Sequence, residues 1–139
     1  RLVSEVPEDL DVALLAVTAA LRAGDTDTAR RVSLQVLTPK LGSTALQAFL
    51  DRWARYGPPR GFAAEAARLA ASAPAEQKIV YATYLNRTGA PAEAAQLVAR
   101  NASLPVTAEN EDANVVLATS LALRGQNDAA LQRFNQVLE

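Results

Sequence analysis

The sequence predicts an all-α fold of eight helices paired into four consecutive hairpins. Three observations lead there. The first is composition. Half of the 139 residues are hydrophobic, yet aromatics make up only 5 %, and 30 alanines supply the balance. Ala, Leu, Arg and Glu are strong helix formers, and the β-branched residues never alternate over a strand's length. The second is a ladder of glycines, Gly24, Gly57, Gly89 and Gly125, spaced 33, 32 and 36 residues apart. The third is an interleaved ladder of prolines, Pro7, Pro39, Pro74 and Pro105, spaced 32, 35 and 31. A glycine inside each unit and a proline between units is the punctuation of repeated helical hairpins.

The first hairpin is expected over 8–23 and 26–37. Pro7 precedes it, Glu8 and Asp9 favour its first turn through the helix dipole, and Asp25 and Asp27 do the same for its second helix. The second is expected over 43–56 and 60–72, with Ser43 at a helix start and Pro59 in a first turn, where a missing N–H costs nothing. Its loop, Gly57-Pro58-Pro59-Arg60-Gly61, reads as an insertion of about one residue, which places the alanine after the turn at Ala63. The third is expected over 75–88 and 91–101, with Pro91 in a first turn. The fourth covers 109–124 and 127–138, with Glu109 and Glu111 opening one helix and Asp128 the other. In the first, third and fourth loops an alanine (Ala29, Ala94, Ala130) stands five residues after the glycine. There the glycine ends one helix in the left-handed conformation, and the alanine lets the next helix cross closely.

On these residues the chain resembles the tetratricopeptide repeat (TPR) family: a 34-residue period, a Gly-then-Ala loop and a closing proline, over the full chain. The resemblance implies a right-handed superhelical solenoid with repeats at about 8–39, 42–74, 75–105 and 108–139, and residues 1–7 as the tail of a preceding repeat. The chain is therefore expected to be a window from a longer array. It departs from the family in two places. Ala13, Leu46, Lys78 and Asn114 stand where a large aromatic opens each first helix, and Val17 and Leu50 stand where a small residue is usual.

The inventory predicts a protein without catalytic activity or cofactor. There is no Cys, His or Met, and Lys40 and Lys78 are the only lysines. No thiol, imidazole or plausible Ser–Lys pair is available, and no glycine-rich phosphate loop is present. The acidic clusters Asp9/Asp11 and Glu109/Glu111/Asp112 sit at helix starts, where dipole stabilisation explains them. A net charge of −1 argues against nucleic acid, and no apolar run is long enough to insert in a membrane. The sequons at Asn86 and Asn101 read as accidental. Trp53 and Phe134 fall in core phase, Tyr81 and Tyr84 are placed to pack between repeats, and Tyr56 and Tyr84 are read evenly as core or surface.

The candidate site is the face formed by the first helices of the hairpins, which in TPR arrays line a concave groove. Two residues before the glycines stand Arg22, Arg55 and Arg87; six before stand Thr18, Asp51, Thr83 and Thr119; Asn86 lies three before Gly89. Thirteen before stand Asp11, Thr44, Glu76 and Asp112. The result is a basic edge at the helix C-termini and an acidic edge at the N-termini. Dipole complementarity alone produces the same pattern, so a binding stripe and a dipole effect both stand at this stage. Arginine, unlike lysine, forks onto carboxylates.

Function is expected to be a protein-interaction scaffold. The Ala-rich, Cys-free texture further resembles the periplasmic TPR regions of outer-membrane exopolysaccharide-secretion proteins of the Pel, cellulose or alginate type. That resemblance implies a periplasmic role in biofilm polymer export, docking a polysaccharide-modifying enzyme near the export pore. Two alternatives stay open: a groove that itself binds polysaccharide or peptide, and a segment of a cytoplasmic regulator.

Overall fold

The structure is a computed structural model, described here for residues 10–100 and 105–138. Among these residues are eight α-helices and no strand: α1 (Leu10–Arg22), α2 (Thr26–Val36), α3 (Ser43–Tyr56), α4 (Ala63–Ala71), α5 (Ala75–Arg87), α6 (Pro91–Leu97), α7 (Glu111–Leu123) and α8 (Asn127–Leu138). A 3₁₀ turn, Ala108–Asn110, leads into α7 and contains Glu109; Glu111 and Asp112 occupy the first turn of α7. The expected residues 1–7, Pro7, Glu8, Asp9 and the sequon at Asn101 lie outside the described residues.

The odd-numbered helices pack in succession, α1 on α3, α3 on α5 and α5 on α7. Helices α2, α6 and α8 lie on their own hairpin partners, and α4 and α6 also pack on the odd helix that follows them. The core sits between these helices. It is built from small and medium side chains, Ala13, Val17, Val32, Leu46, Leu85 and Ala94 among them, and five aromatics, Phe49, Trp53, Phe62, Tyr81 and Tyr84, each at 2 % exposure or less. The mid-helix position expected to be small holds Val17 and Leu50 in α1 and α3 and Ala82 and Ala118 in α5 and α7, all buried.

Three hairpins turn in the same way. Gly24, Gly89 and Gly125 have φ of 80°, 85° and 82°. The residue after each donates its N–H five positions back (Asp25 to Ala20, Ala90 to Leu85, Gln126 to Leu121, each 2.8 Å). The glycine N–H reaches three back in each case, which completes a Schellman closure of the preceding helix. Asp25 then caps α2, accepting from the Thr28 N–H at 3.1 Å and its hydroxyl at 2.7 Å, and these bonds hold its pKa below 3.8.

The second hairpin is a correction. Helix α3 ends at Tyr56 and α4 starts at Ala63, so its loop is 57–62, six residues where the others have three. The insertion is three residues rather than one. Gly57 is extended, with φ −84° and ψ 164°, and Arg60 carries the positive φ of 59°. By its distance from the next helix, Gly61 is the counterpart of the other three glycines. Ala66, fully buried, is then the alanine five residues on, in place of Ala63. Pro59 lies in the turn rather than in the first turn of a helix. Ser43 opens α3, but the cap is Gly42, with no side-chain bond. Pro91 takes its expected first-turn place. Phe134, expected in the core, is half-buried, because α8 packs on α7 and on no helix beyond it among the described residues.

Candidate functional site

The last turns of α1, α3 and α5 each carry an arginine: Arg22, Arg55 and Arg87. They do not form one uniform stripe. The Arg22 guanidinium lies over the Tyr56 ring, 5.6 Å from its centroid, and Tyr56 is 41 % exposed. Arg55 and Arg87 instead converge on Asp51. Arg55 Nε lies 2.9 Å from Asp51 Oδ2, and Arg87 Nη1 reaches across from α5 to Oδ1 at 3.0 Å. Arg52 Nη1 joins them at 3.0 Å. Three guanidiniums face one carboxylate, so the cluster carries a local excess of two positive charges (three minus one). Partial burial acts to raise the Asp51 pKa, but the hydrogen bonds from Arg87 and Arg55 outweigh it and hold the carboxylate below 3.8. Asp51 is ionised at neutral pH and orients the two arginines.

The threonine row has a different chemistry. Thr18, Thr83 and Thr119 each donate their hydroxyl to the carbonyl four residues back, Leu14, Ile79 and Val115, at 2.8, 2.9 and 2.8 Å. Their hydrogens are engaged and their oxygens retain accepting capacity. Asn86 is buried. Its Nδ2 donates to the Val116 carbonyl at 3.3 Å and its Oδ1 accepts from the Ser120 hydroxyl at 2.8 Å, which ties α5 to α7. A sequon at this position offers no accessible amide.

Two adjoining depressions run over α3, α5 and α7. One, of about 300 Å³, has an apolar floor of Leu50, Ile79, Val80, Val115 and Val116, with Asp51, Thr83, Arg87 and Asp112 around it. The other, of about 400 Å³, is lined by Thr83, Asn86, Arg87, Val115, Val116, Thr119 and Leu123. Of the eight residues expected at the site, the first depression brings together Asp51, Thr83 and Arg87, and the second Thr83, Asn86, Arg87 and Thr119. Thr18, Arg22 and Arg55 line neither of the two. Asp112, expected on the acidic edge, lines the first as well, and Gln47 and Tyr84 line it without having been placed on the expected face. An i, i+4 pairing of Asp51 with Arg55 was readable in the sequence, whereas the contact from Arg87 needed the packing of α5 on α3.

The remaining aromatics are structural. Trp53 donates its indole N–H to the Ser33 hydroxyl at 2.9 Å and stacks on Phe62, with centroids 4.8 Å apart. Tyr84 is buried, and its hydroxyl accepts from the Phe62 N–H at 3.3 Å. Burial pushes the Tyr81 phenol up to about 12. Among the described residues, no group of three or more His, Cys, Asp or Glu is placed to hold a metal ion, and no helix is long and apolar enough to cross a membrane. No protein-family model matches the chain, nor does any curated protein or solved structure.

Proposed function

We propose that the chain is a non-catalytic interaction scaffold, a right-handed TPR-like solenoid whose odd-helix face binds a partner protein. The observation that carries this reading is the Asp51 cluster beside an apolar floor. Arginines held in place by an internal carboxylate lose less freedom on binding than free ones, so they can fork onto a partner's carboxylates at a lower ordering cost. The apolar floor supplies area to bury, and the threonine oxygens accept hydrogen bonds along the rim. For setting, we propose the bacterial periplasm and exopolysaccharide export, with a polysaccharide-modifying enzyme as partner. The Ala-rich, Cys-free composition supports that setting.

The experiment is affinity capture of an acidic partner, compared between the native chain and an Arg22, Arg55, Arg87→Glu triple variant. Arg87 joins α5 to Asp51 on α3, so the triple variant is expected to keep its helical signal and melt slightly lower, while capture at low salt is lost. Each exposed pair is worth only about 0.2–1 kcal/mol in stability. Capture that survives the triple substitution would place the partner on another face and leave the ladder as a dipole effect.

A further inference from the structure

Successive hairpins also meet on the side of the even helices, and two of the three junctions there are clasped. At the first, Arg30 on α2 donates to Glu65 Oε1 on α4 at 3.0 Å and to the Gly61 carbonyl at 3.2 Å. At the second, Arg60 donates to Glu93 Oε2 on α6 at 3.0 Å and to the Gly89 carbonyl at 2.8 Å. In both, the acid lies four residues after the turn glycine. The third junction, between α6 and α8, is built differently. The residue four after Gly125 is Ala129, and Ala95 and Thr88 stand at the places of Arg30 and Arg60. These three residues carry no charge and cannot make the clasp.

A groove of about 590 Å³ lies there instead, larger than either depression on the odd-helix face. Ala92 and Ala95 on α6 and Ala99 just past its end form one wall, and Leu117 and Leu121 of α7 form the floor. This floor is on the opposite side of α7 from Val115, Thr119 and Leu123, which line the odd-helix face. Both hairpins that bound the groove lie within the described chain, and Leu131 and Leu138 of α8 are not part of it. An arginine stands at each end. Arg124 follows Leu121 by one turn and is exposed. At the other end Arg133 of α8, half-buried, donates from Nη1 to Asn114 Oδ1 at 2.9 Å. Asn114 is fully buried and is itself fixed by donating to the Asn110 carbonyl and Oδ1, each at 2.9 Å. Arg133 is thus positioned from below. No Asp or Glu lines the groove, and Glu93, next to Ala92 in the chain, is held by Arg60.

We propose that this groove docks an acidic amphipathic helix of a partner protein, its apolar stripe on Leu117 and Leu121 and a carboxylate at each arginine. Charge complementarity selects an anionic occupant. Spacing selects a helix over a single-headed amphiphile such as a fatty acid. Asn114, which holds Arg133, and Arg124 are ten residues apart on α7, about 15 Å of helix, so one headgroup serves only one end. A helix laid along α7 presents apolar residues one turn apart and acids towards both ends on a single face. The alanine wall lets its backbone come close to α6. The site is separate from the Asp51 cluster on the odd-helix face.

The test is selection of a displayed library of amphipathic helices on the native chain, followed by fluorescence-polarisation affinities for the selected peptides. Enriched peptides should carry acidic residues on both sides of a short apolar stripe. Two variants address the groove: Ala95→Arg with Ala129→Glu, which installs the missing clasp, and Arg124→Glu, which inverts the charge at one end. Circular dichroism confirms that each stays helical. Each should weaken binding by about tenfold or more. The Arg22, Arg55, Arg87→Glu triple variant should bind these peptides as the native chain does, so loss of the odd-face site leaves this result unchanged. The proposal is overturned if no peptide is enriched, if the enriched peptides are neutral or basic, or if they bind both groove variants with native affinity. Peptides lost on the triple variant alone would belong to the Asp51 cluster and would also overturn it. Displacement of the peptides by dodecanoate at comparable affinity would make the groove a lipid-anion site and overturn the helix as occupant.

Discussion

Three of the hairpin loops are closed from within, and the second is closed from outside. In the loops at Gly24, Gly89 and Gly125 a left-handed glycine and two backbone bonds end the helix, and a Cβ added at these glycines meets nothing within 4 Å. The loop at 57–62 has local bonds, Gly57 N–H to the Trp53 carbonyl at 3.0 Å, Gly61 N–H to the Pro58 carbonyl at 2.9 Å and Ala63 N–H to the Arg60 carbonyl at 3.2 Å, but it also draws anchors from neighbouring hairpins. Arg30 holds the Gly61 carbonyl from α2. The Arg60 N–H donates to Thr88 Oγ1 at 2.7 Å and the Phe62 N–H to Tyr84 Oη. The short loops are local objects set by one residue's backbone freedom. The long loop is a tertiary object, set by an aromatic plug and arginine clasps.

The largest expected effect breaks the plug. Trp53→Ala removes a fully buried ring, its stack on Phe62 and the bond to Ser33, and should destabilise the chain by about 3–5 kcal/mol in denaturant unfolding. Tyr56→Ala, three residues on but 41 % exposed, should change stability by less than about 0.5 kcal/mol. Equal effects would mean that the long loop does not depend on its plug.

A second set of substitutions separates the two kinds of closure. Gly89→Val and Gly125→Val should each cost more than about 1 kcal/mol, because a β-branched residue resists positive φ, while Gly89→Asn should cost much less, since Asn tolerates that conformation. At Gly57 the constraint is space. A Cβ there would lie 2.7 Å from the Trp53 carbonyl oxygen and 2.9 Å from its Cε3. Gly57→Asn should therefore be no better than Gly57→Ala, and both should be clearly destabilising. Thermal unfolding of the five variants decides it. Rescue by Asn at Gly57 would show that its constraint is conformational after all.

This contrast also explains what the sequence revealed. The glycine and proline ladders and the Ala29, Ala94 and Ala130 spacing located the helices, because helix ends and close crossings are local chemistry written at fixed offsets. The second loop departs from its expected length because Gly57 occupies the expected rung while the true counterpart, Gly61, lies four residues on, displaced by an insertion held through Tyr84, Thr88 and Arg30. Phe134 was in core phase by period, but burial depends on what packs next to α8. The candidate site divides in the same way. The arginines and threonines share a phase that periodicity exposes, whereas the choice of Asp51 over solvent by Arg87, and of Tyr56 by Arg22, depends on interhelical distance. Asn86 shared that phase as well, yet its amide joins α5 to α7.

The smallest expected effect concerns Asp51, whose pairing joins the closed third hairpin to the plugged second one. Its folded pKa is depressed, so the stability it contributes is present above the unfolded value near 3.8 and is lost as pH falls through the lower folded value. Asp25 is depressed too, through Thr28, and titrates in the same window. The native chain's acid profile alone therefore cannot isolate Asp51, but comparison with Asp51→Asn can, because Asp25 is common to both. At neutral pH and low salt the native chain should be the more stable by on the order of 0.5 kcal/mol, the range of exposed ion pairs. The difference should shrink as pH drops below about 3.8 and as salt screens the arginines. A difference that stays constant with pH and salt would mean that Asp51 acts through shape, and that Arg55 and Arg87 owe their positions to packing rather than to its charge.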